Sequence, residues 1–381
     1  MSSWKCAPVA KVLFLTLLLS CSLHAQTKTP SPADAVTLTQ QGKFPEAEQA
    51  WRAVLQRNPG DAQAYASLGF VLSRQQKYAQ AATAYRKAIA LDPKLPGVQL
   101  DLGLAEFKQG KLEAAIPPLR AALAADPHSL QATTLLGLSY YGTKHFEDAI
   151  KYLQMAVDAD PDNKELLQTL AQSCLLAKNY PCALAEFEKL EQLDPNSSAV
   201  HLLLAEALDG EGKTEEAIQE AQTGLKLSPR EPNLHFVLGH LYWEAEKYDE
   251  AVAAFEAELL IVPENANAIA YLGDIAMKRG ENEKALKLLR QAAQLQDNVR
   301  LAYMDIGGIL MDQKQYAEAL PVLRQAAKLD PTEPDAHFRL GRVYQLMGNS
   351  VAAQKEFAKV QELKQKRDQD IARKLDTNPR N

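Results

Sequence analysis

The chain is 381 residues long, 46% hydrophobic, and carries a formal net charge of -6, which becomes -8 once Lys5 and Lys11 are set aside. An acidic balance of this kind offers no electrostatic footprint to nucleic acid. The length would hold two or three globular domains, but one repeated pattern fills most of it and leaves no room for a separate catalytic domain.

In chain order, residues 1–25 come first. Lys5 and Lys11 precede an apolar run over 12–19 that is too short to span a bilayer comfortably, and small residues follow up to Ala25. This pattern predicts a cleavable export signal with Gln26 as the first mature residue. A second reading stays open, because Leu18-Leu19-Ser20-Cys21 resembles a bacterial lipobox, in which Cys21 would be lipidated. That anchor would be the chain's one route to a membrane. Localisation is therefore expected to be exported, in the periplasm or associated with the outer membrane. Residues 26–33, with Pro30 and Pro32, read as a polar linker.

From there on, the chain repeats. Pro59, Pro93, Pro127, Pro161, Pro195, Pro229, Pro263 and Pro331 follow a spacing of 34 residues, with Asp297 in the one missing place. A second register is all alanine: Ala47, Ala81, Ala115, Ala149, Ala183, Ala217, Ala251, Ala285, Ala319 and Ala353. A third holds Gly69, Gly103, Gly137, Gly239, Gly273, Gly307 and Gly341, with Ala171 and Ala205 filling two places. Small residues on two helices let their backbones approach closely, and proline then stops the second helix because it has no amide donor. Each unit is thus expected to be a helical hairpin. Large apolar residues between the small ones, such as Tyr65, Leu68, Leu72, Tyr78, Tyr85 and Ile89, make a face too wide for one hairpin to bury. Neighbouring hairpins must cover it, which predicts a stack. The sixth unit departs most, with His201, Ala205, Thr214, Ala221 and a mid-helix Gly224, and fraying is expected there. The last segment, 351–375, is a charged helical pattern that suits a terminal cover. Its basic cluster of Lys364, Lys366, Arg367, Arg373 and Lys374 is interleaved with Glu362, Asp368 and Asp370, so a solvated capping helix is expected rather than a lipid or nucleic-acid contact.

Tyr65, Leu68, Gly69, Leu72, Tyr78, Ala81, Tyr85, Ala88 and Pro93 together resemble the tetratricopeptide repeat. The resemblance implies an all-α, right-handed superhelical solenoid of about ten helix-turn-helix units over 34–365, with 366–381 as capping extension and tail. It also implies that the first helices line a concave groove. Carried over place by place, the groove receives Phe70, Arg74, Phe107, Lys108 and Tyr141, then Glu206, Asp209, Phe236, His240, Trp243, Glu244, Asp274, Met277, Met304, Met311 and Phe338. Aromatic and methionine side chains among carboxylates suit a peptide with apolar anchors and basic flanks. The carboxylate-clamp subtype is excluded, because its Lys and Asn places hold Ala66, Phe70, Leu100, Leu104, Thr134 and Leu138. The expected role is a non-catalytic scaffold of the bacterial cell envelope that binds a protein or peptide segment. The alternatives are an accessory subunit or lipoprotein pilot of an envelope enzyme or secretion machine and, more distantly, a small-molecule binder at His240 and Trp243.

Sites for chemistry are scarce. Cys174 and Cys182 would flank the turn of the fifth hairpin, where export could oxidise them. An outward direction for Cys182 argues against closure. Two cysteines do not complete a zinc site, and His201, His235 and His337 occupy the place of Tyr65 and Tyr303, as packing residues. No catalytic arrangement, cofactor site or metal site is expected.

Overall fold

A computed structural model describes residues 30–376. The export signal, Cys21 and Gln26 lie outside the described residues. Twenty helices, with no strand among the described residues, fall into two compact units, one ending at Ala125 and the other beginning at Asp126. The first holds α1 (Pro32–Gln40), α2 (Phe44–Arg57), α3 (Ala62–Arg74), α4 (Tyr78–Leu91), α5 (Val98–Lys108) and α6 (Leu112–Ala125). The second opens with α7 (Leu130–Gly142), α8 (Phe146–Ala159), α9 (Lys164–Leu176), α10 (Tyr180–Leu193), α11 (Ser198–Gly210), α12 (Thr214–Leu227), α13 (Leu234–Glu244) and α14 (Tyr248–Ile261). It continues with α15 (Ala266–Lys278), α16 (Asn282–Leu295), α17 (Arg300–Asp312), α18 (Tyr316–Leu329), α19 (Pro334–Leu346) and α20 (Ser350–Asp376). The fold is an all-α helical-repeat solenoid.

Each hairpin follows from local chemistry. The second helix of most repeats ends two residues before the periodic proline, as α4 does at Leu91 before Pro93. Two residues after that proline, a side chain caps the next first helix in several repeats. Asp61 accepts from the Ala64 amide, Ser129 from Ala132, Asn163 from Leu166 and Asn265 from Ala268. Where Pro96-Gly97 and Pro232-Asn233 intervene, Gly97 and Asn233 turn left-handed, at φ 78° and 69°, and α5 and α13 start late with 11 residues. The turn inside each hairpin has a register of its own. Gly42, Gln76, Gly110, Lys144, Lys178, Gly212, Glu246, Gly280, Lys314 and Gly348 all have positive φ. In such turns the next amide reaches back across the helix end, as Lys77 N does to Leu72 O at 2.9 Å, which satisfies a terminal carbonyl.

Packing explains the small-residue registers. All ten register alanines are buried. A Cβ on Gly239 would come within 2.7 Å of the Phe255 ring, and one on Gly69 within 2.5 Å of Tyr85, so glycine is what lets the two helices of a hairpin meet. In the sixth unit, α12 runs unbroken through Gly224, where a Cβ would lie 2.7 Å from Leu234, so this glycine allows close packing. His201 is buried and bonds Glu220 at 2.8 Å. A disulfide joins Cys174 on α9 to Cys182 on α10, with Cα atoms 5.7 Å apart. The tight turn capped by Asn179 brings Cys182 back toward its partner, which outweighs its outward place.

Several first helices of successive repeats touch within each unit: α3 with α5 in one, and α7 with α9, α11 with α13, α15 with α17 and α17 with α19 in the other. Second helices have no comparable neighbour contact, so the first helices occupy the shorter, inner wall.

Candidate functional site

The inner wall of the second unit gathers two groups of side chains. The first spans α11, α13 and α15. His240 stacks on Trp243 with ring centres 5.9 Å apart and meets Tyr271 edge-on at 5.3 Å, while Phe236 packs against both Phe255 and Tyr271, which stack on each other at 5.2 Å. Asp209 and Glu244 flank the imidazole, each 3.9 Å from one ring nitrogen. Burial depresses the His240 pKa, although Asp209 opposes the shift, so the imidazole is neutral at pH 7. Burial and then a hydrogen bond and like-charge repulsion from Asp209 push Glu244 up to about 7. Glu206 is also raised, by burial first and by Asp209 second. Three carboxyl groups are thus crowded beside aromatic rings.

Beneath them lies a second carboxyl pair. The Trp243 indole Nε1 donates to Asp274 Oδ2 at 2.5 Å, and Lys278 sits 3.6 Å from the same oxygen and 5.4 Å above the indole ring. Burial, followed by the charge of Asp274, raises Asp305 to about 7, with Arg339 and Lys278 acting the other way. Asp305 Oδ2 is buried without a hydrogen-bond partner.

The second group belongs to three successive first helices. Met277 of α15, Met311 and Asp312 of α17, and Phe338, Arg339 and Arg342 of α19 surround a hollow of about 350 Å³ floored by Gly308. Phe338 is 48% exposed. Arg339 crosses Gly308 and donates to the Met304 carbonyl at 2.7 Å.

In the first unit, Phe70 is 44% exposed and lines a separate hollow of about 320 Å³ with Val36, Trp51, Ala66, Val98 and Asp101. Arg74 is exposed and lies 5.6 Å above the Phe44 ring, while Phe107 is half-buried and Lys108 exposed. In the second unit, Tyr141 donates its hydroxyl to Gln172 at 2.9 Å.

The residues expected in the groove all sit on first helices, and two of them are buried. Asp274 is 3% and Met304 4% exposed, because the indole and Arg339 cover them, so both support the wall from beneath. Phe236 and Trp243 are half-buried and held in the aromatic cluster, and Phe338 carries the exposure. Arg339, Arg342 and Tyr271 were not expected as site residues. Their signal lies in the period itself, since Asp305 and Arg339 are 34 residues apart and share one place on successive first helices.

A family profile described as the cytochrome c-type biogenesis protein H TPR domain matches residues 46–165. Two tetratricopeptide repeat profiles match 175–241 with 310–375, and 236–299. Yeast Tom70 is similar at 15% identity, covering 87% of this chain and 91% of its own, with a TM-score of 0.46. A tetratricopeptide repeat protein from Parabacteroides merdae is similar at 19% identity over 63% of this chain and 95% of its own, with a TM-score of 0.47. MamA from Desulfovibrio magneticus is similar at 26% identity over 42% of this chain and 91% of its own, with a TM-score of 0.38. None of these scores reaches 0.5, and they carry no functional argument. No curated protein matches the chain.

Proposed function

Because the chain belongs to the tetratricopeptide repeat family, an all-α scaffold for protein interaction, we propose that the inner wall of its second unit holds an extended or helical polypeptide segment in the bacterial cell envelope. The observation that carries this reading is the hollow where Met277, Met311 and Phe338 from three consecutive repeats converge beside Arg339, Arg342 and Asp312. The exposed Phe338 ring and the half-buried methionines provide contact area, and the fixed charges orient the bound segment. The acid-aromatic group at Glu206, Asp209 and Glu244 extends the same wall toward a partner with basic residues.

The envelope setting draws support from Lys5, Lys11 and the apolar run over 12–19, together with the printed name of the profile over 46–165. No helix among the described residues is long and apolar enough to cross a membrane. The fold is typical of non-catalytic interaction scaffolds.

Peptides selected from a display library against the full chain test the site. Binding is expected to weaken about tenfold or more in Phe338→Ser, on the scale of an aromatic anchor, and to persist in Leu260→Ser on α14, where Leu260 is 82% exposed. Equal binding by both variants, each with native helix content, rejects the groove. Phe338 is preferred to Trp243 for this test because truncating the indole would also strip the Asp274 bond.

A further inference from the structure

Asp209 near the end of α11 faces His240 and Glu244, which are one helical turn apart on α13 and therefore on one side of it. One ligand atom from each of the three lies within 4.8 Å of the other two. Tetrahedral ligands at usual zinc bond lengths sit about 3.3 Å apart, and the 3.9 Å contacts run from opposite ring nitrogens, Nδ1 to Asp209 and Nε2 to Glu244, so one ion takes one nitrogen and the carboxylate on the far side swings in to join it. Asp209 Oδ1 is buried and reaches no hydrogen-bond donor. Neither carboxylate has a lysine or arginine partner among the ion pairs of the described residues. The imidazole does not need to be ordered on binding, because Trp243 and Tyr271 already hold the ring on two sides.

We propose that Asp209, His240 and Glu244 bind one divalent first-row transition metal ion, of the zinc, nickel or cobalt class, on the inner wall of the second unit. One nitrogen and two oxygen donors suit these ions, and three protein ligands leave coordination positions open to water or to a donor from a bound partner. A second His-carboxylate group makes the contrast. In Glu191, His201 and Glu220, the histidine is buried and already bonded to Glu220 at 2.8 Å, so its pairing is complete. This inference goes beyond the peptide reading and does not depend on it.

The full chain, without a polyhistidine tag and stripped with chelator, is titrated with Zn²⁺ by calorimetry in a non-coordinating buffer, with Co²⁺ absorption as a second reporter. One equivalent is expected. The dissociation constant should rise at least about tenfold in Glu244→Gln and His240→Ala, the loss seen when even an outer-shell partner of a metal is removed. Asp249→Asn, which alters an exposed pair with Arg279, should bind as the parent does. Glu244 is 42% exposed, so its glutamine variant should keep the fold, and melting of the stripped proteins checks this. Absence of heat and of a cobalt spectrum overturns the proposal, as does equal affinity in parent and both site variants. Binding of a lysine-bearing peptide that Glu244→Gln abolishes, without metal uptake, also overturns it and identifies the cluster as a socket for a cationic side chain.

Discussion

Asp305 is 4% exposed and sits beside Asp274, so its ionisation puts a second buried charge next to the first. Its folded pKa of about 7 stands above the ordinary aspartate value of 3.8, and the folded state therefore binds more protons than the unfolded one between those values. Stability from this group is complete below about pH 4, is lost as pH rises toward 7, and levels off above. Asp305→Asn keeps a donor for Asp274 and removes the ionisation. It is expected to leave the midpoint unchanged near pH 4 and raise it at pH 8, with a gain of at most about 4 kcal/mol. Thermal melts at the two pH values measure this. A parent protein more stable at pH 8 than at pH 4, with no effect of the substitution, would show that Asp305 is ionised throughout. This pair is not legible in the sequence, because the same place holds Ser67, Leu135 and Val237 in other repeats and nothing local marks it as buried. Only the Trp243 indole above and Arg339 alongside make it so.

At the scale of the element, the turn inside each hairpin is where sequence and geometry disagree most usefully. Glycine occupies five of the ten left-handed turn places, and Gln76, Lys144, Lys178, Glu246 and Lys314 hold the rest at φ between 57° and 63°. A residue with a Cβ in that region costs on the order of 1 kcal/mol. The helix end accepts this because the turn satisfies terminal carbonyls, as His145 N does for Tyr140 O at 2.9 Å. Lys144→Gly is therefore expected to stabilise the protein by about 0.5 to 1 kcal/mol, the strain relieved exceeding the extra chain entropy of glycine. Urea unfolding of the variant beside the reverse change, Gly110→Ala, reads the sign. If both substitutions destabilise, the turn backbone is set by something other than the Cβ clash.

At the scale of the whole molecule, the repeat was legible because its cause is local and periodic: proline stops and small residues at the hairpin contact. The groove was legible to one side-chain layer. Phe338, Met277 and Met311 line the hollow, whereas Asp274 sinks beneath the Trp243 indole of the preceding repeat and Met304 beneath Arg339 of the next, contacts no single repeat encodes. The same nearest-neighbour character governs unfolding, since each hairpin of a stack is stabilised chiefly by the ones beside it. Trp51 is buried in the first unit and Trp243 is half-buried in the second, so the two indoles report on different stretches of the stack. Trp51→Phe and Trp243→Phe variants, followed by fluorescence in urea, are expected to show midpoints that differ from each other, and a dependence on denaturant shallower than a single cooperative transition of this length would have. Coincident curves with a steep common slope would instead mean that unfolding spreads through all the hairpins at once, and the nearest-neighbour account of this stack would fail.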